Sequence, residues 1–140
     1  MAIEKNRAES YRWMQSALDD MKTAAILNDA GQYAHCCFHS QQAAEKALKS
    51  VMYCFDGDIW GHSVLKLLRQ INKEHFISIS DNSELFDHAL VLDRFYIPTR
   101  YPNGLPELST NEAYSASDAI LAIKYSGEIL ELARKTTGLA

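Results

Sequence analysis

The feature that most constrains the fold is an apolar repeat with three- and four-residue steps, which runs with one interruption through the first 55 residues. It predicts a first amphipathic helix from about Glu4 to Asn28, with its stripe at Trp13, Ala17, Met21, Ala24 and Leu27. Gly31 supplies the stop, because glycine readily adopts the left-handed conformation that ends helices.

A second stripe at heptad-like spacing follows between Gln32 and Phe55. Its members are Tyr33, Cys37, Ser40, Ala44, Ala47, Val51 and Phe55. Because only a short turn separates the two stripes, we predict that the first two helices pack as an antiparallel hairpin.

Capping signals predict two further helices in the middle of the chain. His62 or Ser63 is expected to cap a short third helix, whose apolar positions are Val64, Leu67, Leu68 and Ile71. The run Asp81-Asn82-Ser83 is expected to cap a fourth helix that continues through Phe95 and is ended by Pro98, which cannot donate a backbone hydrogen bond.

A last helix begins at Ser115, which forms an approximate capping box with Asp118. Its predicted inward-facing stripe is Ile120, Ile123, Gly127 and Leu130, and Gly138 marks its end. No strand pattern or internal repeat is evident. The sequence therefore predicts one domain over residues 1–140, folded as an all-α, antiparallel up-and-down bundle of four to five helices.

Composition narrows the classes of partner. The chain has 140 residues and a formal net charge of −4, which argues against a protein that coats a nucleic-acid backbone. We expect any RNA contact to be local, and no DNA partner. Cys36, Cys37 and Cys54 match no zinc or redox spacing, so they are interpreted as reduced core residues. No signal peptide or membrane-length apolar run is apparent, which predicts a cytoplasmic protein without a membrane partner.

Function is expected in the stretch from Leu92 to Pro102, where prolines and arginines lie among aromatic residues. Arg100 lies between two rigid prolines, with Tyr96 and Tyr101 close by in the chain. A guanidinium held in this way suits a phosphate, a carboxylate or a stacked base. The alternative, given equal weight, is a structural arginine that ties the loop to carbonyls at a helix end.

Other polar residues have both a functional and a structural interpretation. Asp93 either orients a neighbouring guanidinium or makes a structural pair. His62 either caps the third helix or meets an anion at the positive end of the helix dipole. Glu45 and Lys49 are expected to pair on a charged surface, whereas Lys46, on the same polar side of the second helix, remains a candidate ligand-binding residue.

Metal and nucleophile chemistry are poorly supported. His35 and His39 have the i, i+4 spacing of a metal-binding pair, but the glutamate of the HExxH motif and a third ligand are missing. Nucleophile arrangements and glycine-rich phosphate loops are also missing from the sequence. We therefore expect no metal and no cofactor.

Three segments taken together resemble the HEPN family, the higher-eukaryote and prokaryote nucleotide-binding domain. They are the QQAAEKALK run at residues 41–49, His62-Ser63, and Leu92 through Pro102, in the family's order and spacing. The resemblance covers nearly the whole chain. It implies an antiparallel helical bundle, commonly dimeric, that in prokaryotes is often encoded beside a minimal nucleotidyltransferase.

The resemblance also implies a test for ribonuclease activity. Many HEPN proteins are metal-independent RNases that pair an arginine and a histidine in an R-x(4–6)-H motif across two subunits. Arg100 occupies the arginine position, but no histidine follows it through Asn111. Arg69 and His75 have the spacing, but they lie near the end of the short third helix and are interpreted as a chance match.

The leading hypothesis is therefore a homodimeric accessory subunit that acts with a minimal nucleotidyltransferase in a toxin–antitoxin-like or modification system. Its nucleotide- or phosphate-binding residues would be Arg100, Tyr96, Tyr101, Lys46 and Asp93. The alternative is an RNase toxin that uses Arg100 with a histidine from elsewhere in the fold, of which His62 is the first candidate.

Overall fold

The computed structural model describes residues 2–58 and 60–139, so Met1, Ile59 and Ala140 of the predicted domain lie outside the described residues. The helices are α1 (Ala2–Asp29), α2 (Tyr33–Cys54), α3 (Val64–Lys73), α4 (Glu84–Asp93) and α5 (Ala116–Thr137). Two short 3₁₀ turns, Pro102–Gly104 and Asn111–Ala113, lie in the loop before α5. The described residues contain no strand, and the predicted all-helical bundle is confirmed.

The predicted hairpin of α1 and α2 forms, with Gly31 in the left-handed conformation at φ +75° between the helices. Two buried serines join the helices far from this turn. The Ser10 hydroxyl donates to the Ser50 carbonyl at 2.8 Å, and the Ser50 hydroxyl donates to the Ser10 carbonyl at 2.8 Å. Since serine side chains are small, the two backbones approach closely and their register is fixed.

The second helix is the centre of the bundle, because α2 packs against all four other helices. The predicted stripe is buried from Cys37 to Val51, but Tyr33 is partly accessible and Phe55 is exposed. Alanines at 43, 44 and 47 are fully buried and let the neighbouring helices approach. Most of the circumference of α2 is therefore covered, and polar residues outside the apolar stripe are buried too.

The fourth helix ends earlier than predicted. It stops at Asp93, with Arg94 as its C-cap, and does not continue through Phe95. Pro98 sets only the latest possible end, because its ring would clash in a continuous helix with the Arg94 carbonyl. The helix ends before that limit because the N–H groups of Arg94, Phe95 and Tyr96 bond to carbonyls three residues back, which replaces the α-helical pattern with turns. The chain continues in turns, in which the Thr99 hydroxyl donates to the Phe95 carbonyl at 2.6 Å.

The last helix begins and ends as predicted, but its buried face is different. The capping box of Ser115 and Asp118 forms, and Gly138 is left-handed. Ile120, predicted to face inward, is 62% exposed. The buried residues of α5 are Ala119, Ala122, Ser126, Ile129, Leu130, Ala133 and Thr137. Small side chains form much of this face because α5 packs closely on the central helix α2. The positions of the larger apolar residues therefore did not predict which face is buried.

One carboxylate joins the end of α4 to the start of α3. Asp93 accepts hydrogen bonds from the Ser63 hydroxyl at 2.6 Å and from the backbone N–H groups of Val64 at 2.6 Å and Leu65 at 3.3 Å. Ser63, and not His62, is the N-cap of α3 and accepts from the Lys66 N–H. Asp93 therefore satisfies backbone donors that a helix start leaves free, and it fixes where α3 begins relative to α4.

We predict that Asp93→Ala lowers the free energy of unfolding by about 2 kcal/mol, because it removes a charged helix cap and leaves Ser63 and two N–H groups without their acceptor. Urea unfolding followed by circular dichroism measures the change. Asp19→Ala, which removes an exposed carboxylate on α1, is the matched control and should change stability by less than about 0.5 kcal/mol. Equal stability of the two variants would contradict the assigned role of Asp93.

Candidate functional site

Arg100 lies in a cage of three aromatic rings. Its guanidinium carbon is 4.5 Å from the ring centre of Phe38, 4.8 Å from that of Tyr96 and 5.3 Å from that of Tyr101. Contacts of this kind attract a cation to the ring faces. The Nε atom donates to the Tyr96 carbonyl at 2.9 Å, which is the structural bond considered as the alternative role.

The two terminal nitrogens of Arg100 remain available. They have no hydrogen-bond or ion-pair partner among residues 2–58 and 60–139. The arginine therefore combines both predicted roles, since one nitrogen anchors the loop and the other two can donate to a ligand. Such a guanidinium loses little conformational freedom when it binds an anion, because rings and a carbonyl already hold it.

Phe38 is a cage residue that the sequence did not reveal. It lies on α2, in the first half of the chain, and its ring is also 6.4 Å from that of Tyr96. A single phenylalanine on an amphipathic helix is an ordinary core signal, so nothing local distinguishes it. Only the packing of the loop after α4 on α2 brings it to Arg100.

His62 contacts the same tyrosine as Arg100. Its ring stacks on Tyr96 with centroids 5.0 Å apart and an interplanar angle of 17°, and its side chain is 59% exposed. A shallow depression of about 170 Å³ lies here, lined by His62, Ser63, Asp93 and Tyr96. His62 and Arg100 thus both contact Tyr96, which places an imidazole and a guanidinium in one region of the surface.

A buried carboxylate lies behind His62. Glu45 Oε2 is 3.4 Å from His62 Nδ1 and 3.0 Å from Lys49 Nζ. The Gln41 amide donates to Glu45 at 3.4 Å and to the His62 carbonyl at 3.0 Å. The contact to Nδ1 leaves Nε2, the other nitrogen of the exposed imidazole, without a protein partner among the described residues.

The expectation that Glu45 and Lys49 lie on a charged surface is wrong, although their ion pair forms. Their side chains are only 5% and 10% exposed, respectively. The Lys49 ammonium also lies 5.7 Å from the ring centre of Trp13 on α1. Both residues are buried because other helices surround α2, a property that an i, i+4 spacing on one helix cannot report.

Asp93 lies near the site, but its hydrogen bonds have a structural role. Its two oxygens accept three hydrogen bonds from the start of α3. The N-terminal amides of α3, which the sequence offered as an anion site beside His62, are therefore occupied by the protein's own carboxylate. Asp93 forms no ion pair with an arginine of the described residues.

Lys46 contacts a different helix. Its ammonium is 2.8 Å from Asp20 of α1, and His39 Nδ1 is 3.4 Å from the other oxygen of that carboxylate. Burial raises the pKa of Asp20, but the hydrogen bonds and charges of His39 and Lys46 outweigh it and leave the pKa below its usual value. The structure thus groups Lys46 with α1 and not with the arginine cage.

The lowered pKa of Asp20 predicts an acid-dependent loss of stability. Its contribution is fully present above the unfolded-state pKa, near 3.8, and is lost as pH falls through the lower folded-state pKa. The difference in unfolding free energy between the wild type and Asp20→Asn should therefore shrink below about pH 4. Urea unfolding from pH 7 to pH 2.5 measures it, and a difference that grows with acidity would contradict the assignment.

The remaining reactive side chains are not arranged as a metal or thiol site. No group of three or more potential metal ligands occurs in the described part of the chain. Cys36 and Cys37 are buried free thiols, as predicted, and burial raises the pKa of both, whereas the free thiol of Cys54 is only partly buried. Thiols in this state are poor nucleophiles. Within residues 2–58 and 60–139, no helix has the length and hydropathy that a membrane crossing requires.

A second depression lies at the opposite end of α3 from His62. It has a volume of about 490 Å³ and includes Arg69, Lys73 and His75 in its lining. Arg69 and His75, which have the R-x(4–6)-H spacing, therefore lie at one surface feature, but it is separate from the Arg100 cage.

Comparison with known proteins agrees with this bundle. The HEPN domain family model matches residues 10–136. Protein TT1696 of Thermus thermophilus is 31% identical, with a TM-score of 0.80 over 91% of this chain and 98% of its own. The HEPN domain protein tm0613 of Thermotoga maritima is 32% identical, with a TM-score of 0.71 over 92% of this chain and 99% of its own.

An archaeal HEPN homologue, ST0689, is 28% identical, with a TM-score of 0.75 over 92% of this chain and 98% of its own. None of the curated proteins compared with the chain matches it. The fold is thus that of a class of small helical bundles seen in bacteria and archaea. The chain belongs to the HEPN domain family.

Proposed function

We propose that this HEPN protein is an accessory subunit that binds a nucleotide or another phosphate-bearing ligand at the Arg100 cage. The proposal rests on one observation: three aromatic rings and one carbonyl hold the Arg100 guanidinium, and its two terminal nitrogens have no partner among the described residues. A planar, permanently charged group held in this way is suited to two parallel hydrogen bonds to a phosphate.

The surroundings of Arg100 suit the rest of a nucleotide. Tyr101 is half exposed, so it offers a free aromatic surface on which a base can stack. His62, which also contacts Tyr96, adds a ring nitrogen that can donate to a phosphate group when protonated. Asp93 supports the site by positioning α3, and Lys46 is too closely tied to Asp20 to be a first contact.

The proposal includes a homodimer and a minimal nucleotidyltransferase partner in a toxin–antitoxin-like or modification system of the cytoplasm. This part rests on the family resemblance. Leu90 on α4 and Ile97 in the turn after it are about half exposed, and a second copy would cover apolar side chains of this kind. Sedimentation of the purified protein, alone and mixed with the candidate transferase, tests both associations.

We predict that Arg100→Ala weakens binding of adenosine monophosphate by about tenfold to a hundredfold. The substitution removes charged hydrogen bonds worth about 1.5–3 kcal/mol. Arg100→Lys should restore little, because an ammonium cannot make two parallel bonds in the plane of a guanidinium. Isothermal titration calorimetry with adenosine monophosphate, and with inorganic phosphate in parallel, measures the effect.

Arg94→Ala is the matched control for this experiment. Arg94 is an exposed arginine in the same segment and has no aromatic cage. The Arg94→Ala variant should bind adenosine monophosphate as tightly as the wild type does. Unchanged binding by Arg100→Ala, or an equal loss in both variants, would refute the assignment of the site.

A second function, metal-independent RNA cleavage, is favoured by one observation. His62 and Arg100 contact the same tyrosine ring, and Glu45 lies at the Nδ1 atom of His62. In such a reaction His62 Nε2 takes the proton of a ribose 2′-hydroxyl, whose oxygen attacks the phosphorus while the 5′-oxygen leaves with a proton from water. Arg100 stabilises the extra negative charge on the phosphoryl oxygens.

If this second function holds, the purified protein cleaves folded tRNA in EDTA and leaves 2′,3′-cyclic phosphate ends. His62→Ala and Arg100→Ala should each lower the rate about a hundredfold or more, since a general base and a charge-stabilising donor are lost in turn. His35→Ala, which removes an exposed histidine of α2, is the control and should cleave normally. Equal activity of the three variants would assign the cleavage to a contaminant.

A further inference from the structure

The exposed side of α3 has a charge that is unusual for this protein. The helix sequence VLKLLRQINK carries three cations, Lys66, Arg69 and Lys73, and no acid. The whole chain, in contrast, has 18 acidic residues against 14 lysines and arginines. This short helix therefore has a net charge of +3 within a chain whose net charge is −4.

The three cations lie on one line of the helix surface. The buried residues Val64, Leu67, Leu68 and Ile71 define the inner face. At about 100° per residue, Lys66, Arg69 and Lys73 all project within about 30° of the opposite direction. All three are exposed, and none pairs with a carboxylate of the described residues. We call these three residues the α3 basic stripe.

Both ends of the stripe meet a feature of the surface. His62 lies just before the N-cap of α3 and stacks on Tyr96 at the arginine cage. At the other end, Arg69, Lys73 and His75 line the depression of about 490 Å³, whose lining has one carboxylate, that of Asp81. The stripe thus connects the candidate site with a second, mainly basic concavity.

We propose that the α3 basic stripe binds the phosphate backbone of an RNA strand whose reacting or bound nucleotide lies at Arg100. The proposal rests on the proposed function of the Arg100 cage, and it makes the ligand a polynucleotide. Successive stripe residues are about 4.5 and 6 Å apart along the helix axis, a spacing that suits several phosphates along a strand. A mononucleotide at the cage cannot also contact Lys73, because Lys66 and Lys73 alone are about 10 Å apart along the helix.

An RNA strand fits the stripe better than an acidic protein does. The stripe leads to a site with an exposed stacking surface, Tyr101, and a guanidinium, which are the groups that bind unpaired bases and phosphates. An acidic peptide would use the cations but not the rings. The contact is local, in agreement with the negative net charge of the chain.

The test uses a fluorescein-labelled, single-stranded RNA of about 12 nucleotides and fluorescence anisotropy between about 50 and 200 mM salt. We predict that the triple variant Lys66→Gln, Arg69→Gln and Lys73→Gln binds this RNA at least tenfold more weakly at the lower salt concentration. The slope of log K against log salt should fall by about 2, since each lost phosphate contact on a single strand contributes about 0.7. Binding of adenosine monophosphate should not change.

The matched control removes the same charge elsewhere, with Lys5→Gln, Lys22→Gln and Lys124→Gln at exposed positions of α1 and α5. Circular dichroism melting verifies that both triple variants are folded. Equal RNA affinity and equal salt slope in the stripe variant and the control would overturn the proposal that the stripe binds RNA. Displacement of the RNA by polyglutamate of equal charge would also overturn it.

The two proposals fail in different ways. If the wild type and the stripe variant bind both ligands equally well, the stripe is wrong and the function of the cage stands. If the wild type binds neither adenosine monophosphate nor the RNA, both proposals are wrong. If RNA binding depends on the stripe but not on Arg100, the stripe binds RNA and the proposed function of the Arg100 cage is wrong.

Discussion

The hydrogen bonds of the Asp93 carboxylate are the constraint on which the candidate site depends. Asp93 ends α4, and it binds the Ser63 hydroxyl and the first N–H groups of α3. The chain on one side of this junction carries His62, and the chain on the other side carries Tyr96 and Arg100. By joining a helix end to a helix start, one carboxylate fixes both segments relative to each other, so the His62 and Tyr96 rings can stack.

A buried ion pair supports the same junction from α2. Separating Glu45 and Lys49 from water has a desolvation cost that their attraction alone need not offset. The additional contacts of Glu45 with Gln41 and His62 satisfy the carboxylate, and Lys49 lies over the Trp13 ring. A polar network in the central helix therefore has a specific geometric result, because it holds the backbone and one ring nitrogen of His62.

Arg100 combines anchoring and availability in one side chain. Its Nε atom donates to the Tyr96 carbonyl, and its guanidinium contacts three rings. The side chain is therefore already ordered, and it loses less conformational entropy when a ligand binds. The terminal nitrogens have no hydrogen-bond partner in the described part of the chain and can donate to a ligand. The aromatic residues beside it also give the surface a stacking character, and α3 extends a positive surface away from it. The proposed ligand, with its phosphates and planar bases, is one that such an arrangement can contact.

The sequence by itself determined the local structure. Helix periodicity, the glycines at 31 and 138, and capping signals near residues 62–63, 81–83 and 115 predicted an all-α bundle of four to five helices, because these signals act between residues close in the chain. The end of α4 was predicted less well, because Pro98 limits how far the helix can continue but does not determine that it stops at Asp93.

The tertiary structure decided what lies between the helices. Glu45 is buried, Ile120 of α5 is exposed, and Phe38 contacts Arg100. All three outcomes depend on which helices surround α2. Periodicity identifies a face of a single helix, but it contains no information on how many neighbours cover that helix. The sequence thus named the arginine and the histidine, and only packing placed both of them against one tyrosine ring.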